Sequence, residues 1–543
     1  MENKDKKSPG TGLSSRQKSA SGNQRQKSII KPQFDALSNA DAIKEHVHGL
    51  LKDSDRSKHT DILAQLISQF DAIDFEALAF PEVAELRQKI KEAELGSEHR
   101  NDIRKRLAQL KVTRKHYLIL SIENVLRVAE KNRWGLCKNN DIIYLYNGMY
   151  WEDIDKHIFQ HFLGIAAERM GVPKYEARHY QFREDLSRQF DTTAYLPAPG
   201  SKNDTVLINL KNGTFEITAD GMRLRPFDRS DFITYQLPFA YDPEATAPIF
   251  DTYINRVLPD KERQKVLSEY LGFVFIKHGN KILKEEKALI LYGSGANGKS
   301  VLFDVYNALL GPQNVSNYSL QSLTNNSGYY RAKLANKLVN YASEINGKLE
   351  TDVFKQLVSG EPVEARLPYG QPLILKQYAK LIFNCNALPK DVENTNAYFR
   401  RFLIIPFDVT IPEHEQDKNL HTKIIDRELS GVFNWVLRGL QRLLAQKGFS
   451  ACTAADAAVQ EFKDDSNSVK IFLDDNGFQR SPSQYVLVRP LFLEYRKYCL
   501  DFRLNAVKRK EFTRQLGLLG IEIGRKPGHG TSIAYLEKGD LAG

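Results

Sequence analysis

Gly293-Ser294-Gly295-Ala296-Asn297-Gly298-Lys299-Ser300 follows the pattern G-x-x-x-x-G-K-[ST]. Glycines in such a loop let backbone N–H groups close round phosphates, and a helix start just after it adds partial positive charge. In that arrangement Lys299 reaches the terminal phosphates and Ser300 ligates Mg²⁺. The pattern therefore predicts a site for a nucleoside triphosphate, ATP with Mg²⁺.

Hydrolysis needs a carboxylate to organise the metal and polarise water. Glu344 follows the apolar run Leu338–Tyr341, so it is expected beside the phosphates at the C-terminal end of a strand. Asn386, after a second apolar run, offers an amide that could hold the water or sense the γ-phosphate; a plain Asn turn before proline is the alternative. Arg400 and Arg401 precede a third apolar run. Presented to a neighbouring subunit's nucleotide, such an arginine would stabilise charge on the transferring phosphoryl group, unless the pair only makes a surface ion pair. Residues 361–376 read as a hairpin over a Tyr-Gly turn, in which Arg366, Tyr369 and Lys376 could meet phosphates and bases.

These groups need elements to hold them. Ala288–Tyr292 reads as a short buried strand, and 301–310 as a helix ended by Gly311-Pro312. The runs at 337–341 and 380–383 are spaced as parallel strands joined by crossovers. Helical blocks are expected at 248–257, 261–278 and from 412 to about 448. Upstream, hairpin signals occur at 142–151 and 206–217, with a helical stretch from about 155 to 190 between them.

Taken together, Gly293–Ser300, Glu344, the stretch 354–361 with its hairpin, Asn386 and Arg400-Arg401 resemble superfamily 3 helicases, closest in texture to the phage, plasmid and poxvirus primase–helicase group. The resemblance covers residues 115–450. It implies an AAA+-like ATPase that forms a hexameric ring and moves DNA through its pore. Lys299 and Ser300 would then hold phosphates and Mg²⁺, Glu344 would be the Walker B acid and Asn386 the sensor. Arg401, with Arg400 as the lesser candidate, would be the trans-acting finger, and the hairpin around Tyr369 and Gly370 the pore element. Two departures stand out. Ser343 occupies a position where many relatives carry a second acid, and the hairpin tip lacks the Lys or His that some relatives show.

The last domain reads as helix, helix and a two-strand element joined by a basic glycine-rich loop, the plan of a winged helix. Lys508, Arg509, Lys510 and Arg514 would line its second helix, with Arg525, Lys526 and His529 on the wing, facing double-stranded DNA. Protein binding is the alternative. Domain expectations are a disordered basic tail (1–33), a helical module (34–115), a mixed α/β leading domain (116–244), the ATPase core (245–450) and the winged helix (456–543).

The chain of 543 residues holds 77 Lys+Arg against 67 Asp+Glu, a net charge of +10, which suits a polyanionic partner. Its first 30 residues carry seven basic and two acidic side chains without apolar periodicity, fitting either a nucleic-acid arm or a solvated leader. No apolar run approaches about 18 residues, so no membrane is expected. The four scattered cysteines form no C-x-x-C pair and suit a cytoplasmic location. Asp153-Ile154-Asp155 could hold metals but lacks a partner set, so any primase or polymerase should be a separate polypeptide. The expectation is an ATP-driven, ring-forming helicase or translocase acting on single- and double-stranded DNA in replication of a mobile element. The rivals are an initiator that melts an origin without processive unwinding, and a regulatory or defence NTPase switch.

Overall fold

The computed structural model describes residues 58–543 except 140–141, 197–203, 219–220, 344, 346–349, 368–370, 390–391, 394, 503, 527–529 and 540–543. The basic tail and the first part of the helical module therefore lie outside the described residues. From there a string of helices runs Lys58–Ser68, Phe75–Ala79, Val83–Glu92, Glu98–Gln109 and Arg114–Lys131. Short polar side chains start several of them. Asp74 accepts from the Ala77 N–H, Ser97 from the Arg100 N–H, and Thr113 forms a capping box with His116.

Leu66, Ile122, Val125 and Ala129 pack against Phe159, Phe162, Phe182 and Phe190 of helices Lys156–Arg169 and Tyr180–Thr193. Beside them lies the antiparallel meander β1 (Gly135–Asn139), β2 (Ile142–Tyr146) and β3 (Trp151–Ile154). Asp155, half of the D-x-D pair, caps helix Lys156–Arg169 by accepting from the His157 and Ile158 N–H groups at 2.8 and 3.1 Å. Its role is local. A second meander follows as β4 (Val206–Leu210), β5 (Gly213–Thr218) and β6 (Gly221–Arg225). β1 and β6 complete sheets of which the turn signals gave only the two-strand hairpins.

The centre of the fold is a parallel sheet. Along the chain come β7 (Ala288–Tyr292), β8 (Val315–Ser316), β9 (Val339–Ala342), then the antiparallel hairpin of β10 (Val363–Arg366) and β11 (Pro372–Leu375), then β12 (Lys380–Cys385) and β13 (Phe402–Pro406). The sheet order is β13-β7-β12-β9-β8, every pair parallel. Both faces are covered, which is why the inner strands are nearly continuous apolar runs. Leu289 and Leu291 point to the face holding helices Pro248–Val257, Lys261–Phe273, Lys299–Leu310 and Leu420–Gln446. Ala288 and Ile290 point to the other, against Phe354, Leu357 and Val358 of helix Thr351–Ser359.

Helix Thr453–Asp465 sends Ala458 and Phe462 into that second face. A separate small core starts at Val469. Its elements run helix Ser468–Asp475, β14 (Phe478–Arg480), β15 (Val486–Leu487), helices Val488–Asp501 and Arg509–Leu518, β16 (Ile523–Arg525), β17 (Ser532–Ala534) and β18 (Leu536–Lys538). β15, β17 and β16 form one antiparallel sheet, while β14 pairs with β18. Helix Ser468–Asp475 is an element that the sequence reading did not name. Asn467 starts it by accepting from the N–H groups of Val469 and Lys470. No described helix is long and apolar enough to cross a membrane, and none of the four buried cysteines is bonded to another.

Candidate functional site

The loop 293–300 leaves the C-terminal end of β7 and delivers Lys299 as the first residue of helix Lys299–Leu310. Three segments clamp it. The Gly293 N–H donates to the Cys385 carbonyl at the end of β12 (3.1 Å), and the Asn297 side chain donates to the Phe407 carbonyl (3.2 Å). The Ile411 N–H donates to the Ala296 carbonyl at 2.8 Å. Gly298 has φ +84, and a Cβ there would stand 2.6 Å from Val257 Cγ1. Only glycine suits that position, by backbone conformation and by space.

Ser294, Gly295, Ala296 and Ser300 are exposed, whereas Asn297 and Lys299 are buried. Lys299 is 6% exposed, and its ammonium donates to the Gly293 carbonyl (2.5 Å) and to Asn297 Oδ1 (3.0 Å). Burial lowers its pKa. Among the described residues no carboxylate pairs with it. A buried cation satisfied only by neutral oxygens has strong reason to welcome an anion. The donor set, an open loop of backbone N–H groups with a lysine beneath, fits a polyphosphate.

Helix Pro248–Val257, expected from the sequence as a helix, forms a wall of the loop that the sequence did not announce. The Tyr253 hydroxyl donates to the Gly298 carbonyl at 2.8 Å, and Val257 packs on the glycine itself. β12 and β9 end next to the loop. Asn386 is exposed one residue past β12. Two residues earlier Asn384 accepts from the Tyr341 hydroxyl of β9 at 3.1 Å, a tie between the two strands. β9 stops at Ala342, and Glu344 lies outside the described residues. No cluster of three metal-ligating side chains occurs among the described residues.

Residues 111–259 match the family described as D5 N terminal like. Residues 291–401 match a family of unknown function, DUF5906. Over 250 residues, 43% of this chain, it is 26% identical to a protein of Acanthamoeba polyphaga mimivirus that carries a candidate-helicase name. These matches support the resemblance to the phage-type superfamily 3 primase–helicase group. It spans only about a quarter of the mimivirus relative's length. Among solved structures, two apo forms of the C-terminal region of NrS-1 align over 76% of this chain and 98–99% of theirs, at 14% identity and a TM-score of 0.45.

In this chain the two arginines sit at the N-terminal end of β13, the opposite end of the sheet from the glycine loop. They differ sharply. Arg401 is 8% exposed; its guanidinium donates to Ser359 Oγ (3.2 and 2.9 Å) and to the Ala397 carbonyl, with Glu286 at 3.5 Å. The Arg400 side chain is 63% exposed and meets Glu286 only at its tip, 3.2 Å away. Arg400 is thus the presented member of the pair and Arg401 the internal one, a distinction that two adjacent letters cannot carry.

The β10–β11 hairpin exposes Arg366 and Lys376, while Tyr369 and Gly370 at its tip lie outside the described residues. In the C-terminal core Lys508, Arg509 and Lys510 are exposed at the start of helix Arg509–Leu518. Arg514 is forked onto Glu511 at 2.8 and 2.5 Å. Arg525 ends β16, and Lys526 is half-buried and donates its backbone N–H to the Thr531 carbonyl; His529 lies outside the described residues.

Proposed function

We propose that the chain is an ATP-dependent DNA helicase or translocase of the replication type, built on an AAA+-like P-loop core. The observation that carries the reading is Lys299, a buried ammonium without a carboxylate partner among the described residues, beneath an open glycine loop at the C-terminal end of β7. Placement of that loop beside β12 supports it, since ligands of parallel sheets gather at strand C-termini. Lys299 and the loop N–H groups would hold the triphosphate. Ser300 and Glu344 would hold Mg²⁺, which when bound supplies charge neutralisation for phosphoryl transfer. Asn386 would position water, with Asn384 fixing the strand beneath it.

Both arginines stand at the far end of the sheet from the loop, so a catalytic role requires a neighbouring subunit. This supports a ring, a hexamer in this group, in which exposed Arg400 rather than Arg401 reaches across. DNA would contact the hairpin through Arg366 and Lys376, with Tyr369 and Gly370 at its tip. The C-terminal domain would act as a winged helix, a reading supported by its order of two helices followed by a β-hairpin. Three consecutive cations at the positive start of helix Arg509–Leu518 oppose its dipole, which supports an anionic partner such as duplex DNA. Arg525, Lys526 and His529 would reach flanking phosphates.

That domain also favours a second reading, an initiator that binds duplex DNA and melts it without processive unwinding. Strand displacement on a forked substrate separates the two. Imaging of particles formed with an ATP analogue and forked DNA tests the ring. A protein that stays monomeric, with turnover indifferent to DNA, would defeat both readings and leave a nucleotide-dependent switch.

A further inference from the structure

We infer that Ser359 is a positioning residue that couples the DNA hairpin to the presented arginine within one subunit. The inference rests on the reading above, in which the hairpin meets DNA and Arg400 serves the neighbour's nucleotide. Ser359 is the last residue of helix Thr351–Ser359, and β10 begins four residues later. Its hydroxyl oxygen receives both the Nε–H and an Nη2–H of Arg401, at 3.2 and 2.9 Å. Arg401 is thereby bound to the base of the hairpin, and Arg400 is its covalent neighbour. The Arg400 carbonyl is held in turn by the Lys287 ammonium at 2.7 Å, and the Arg401 carbonyl accepts from the Ala288 N–H at 2.8 Å.

The helix end is itself anchored. Gly360, with φ +71, sits so tightly on His278 that any side chain would collide with the ring. The Tyr378 hydroxyl, just ahead of β12, donates to the Gln356 and Glu361 carbonyls at 3.2 and 2.8 Å. A push on the hairpin has few soft joints to dissipate it. It passes through the helix end and the Ser359 hydroxyl to the turn that carries Arg400. Buried, charge-assisted bonds of this kind have discrete geometries, so the turn follows the helix rather than sliding past it.

The test compares the ratio of ATP turnover with and without single-stranded DNA for the full chain, Ser359→Ala and Ser359→Thr, with DNA affinity and melting temperature measured on each. Ser359→Ala is expected to bind DNA as wild type does but to lose stimulation by about fivefold or more, the lower end of typical couplings. Ser359→Thr, which keeps the hydroxyl, should restore it. Should Ser359→Ala fail to fold, Arg401→Lys keeps the charge near Glu286 but cannot fork onto the hydroxyl, and the same loss is expected. Full stimulation in Ser359→Ala or Arg401→Lys, or a threonine variant as defective as alanine, overturns the coupling alone. A wild-type enzyme that DNA does not stimulate overturns the DNA-driven reading as well.

Discussion

The Tyr253 hydroxyl donates to the carbonyl of Gly298 at 2.8 Å, so a helix upstream of the sheet fixes the last turn of the glycine loop. Tyr253→Phe removes one buried hydrogen bond and is expected to cost about 1 kcal/mol of stability. Gly298→Ala meets both the left-handed backbone and Val257, and should cost more and abolish nucleotide binding. Denaturant unfolding and fluorescent-nucleotide titration of the two variants measure this. Equal effects would mean that the glycine's space is unimportant.

Lys299→Ala takes away the only cation described in the loop. Turnover is expected to drop at least about a hundredfold, the usual scale for losing one preorganised charge-stabilising donor. Melting temperature should hold or rise, because a buried ammonium with no described acid partner disappears. Phosphate release and calorimetry test the two halves separately.

Arg400 and Arg401 should part company on mutation. Arg400→Ala is expected to fold normally, bind nucleotide and lose hydrolysis in the assembled state. Arg401→Ala removes the buried donors to the Ser359 hydroxyl and the Ala397 carbonyl, so its melting temperature should fall. A mixed-ring assay decides the first point: Arg400→Ala subunits supplemented with Lys299→Ala subunits should regain some turnover. No recovery would remove Arg400 from a trans role.

Lys380 begins β12 as a buried residue, its ammonium 3.1 Å from His278 Nδ1 and 4.3 Å from the Phe273 ring centre. Burial brings its pKa down to about 7. A lysine in the unfolded chain keeps its proton to about pH 10.4. Between about pH 7 and 10 the unfolded state therefore binds more protons, and stability rises with pH. Below that window both states are charged and the burial cost is felt in full. His278 is held neutral by burial to well below 6.5 and does not titrate in the window. Lys380→Met should flatten the rise in melting temperature between about pH 7 and 9.5; an unchanged slope would assign it to other groups.

On the C-terminal domain, Lys510→Ala should reduce the salt dependence of duplex binding by about one unit of slope. Arg514→Ala should change it less, since Glu511 already neutralises that guanidinium. The reverse ranking would shift the contact surface round the helix.

The loop and its strand were legible because phosphate chemistry needs a local pattern and a buried strand needs a continuous apolar run. Ala288–Tyr292 appears where the apolar-run rule puts it, and Val363–Arg366 pairs with Pro372–Leu375 within the stretch read as a hairpin. Tyr253 was not legible: it lies 45 residues from its partner, and an aromatic on a helix face reads as core. Asn384 hid behind Asn386, although residues two apart share a strand face. Helix Ser468–Asp475 was passed over because eight residues give too short a period against the polar run before it. The Arg400–Arg401 distinction depends on a serine from another helix.

Val257 belongs to the D5 N terminal like match, which ends at 259, yet its side chain forms the floor on which Gly298 rests. The seam between the two family-matched regions therefore does not coincide with a seam in the architecture. A shortened protein beginning at residue 260 would keep the whole glycine motif and still lack Tyr253 and Val257 beneath it, so any attempt to isolate the loop in its native shape has to start ahead of Pro248.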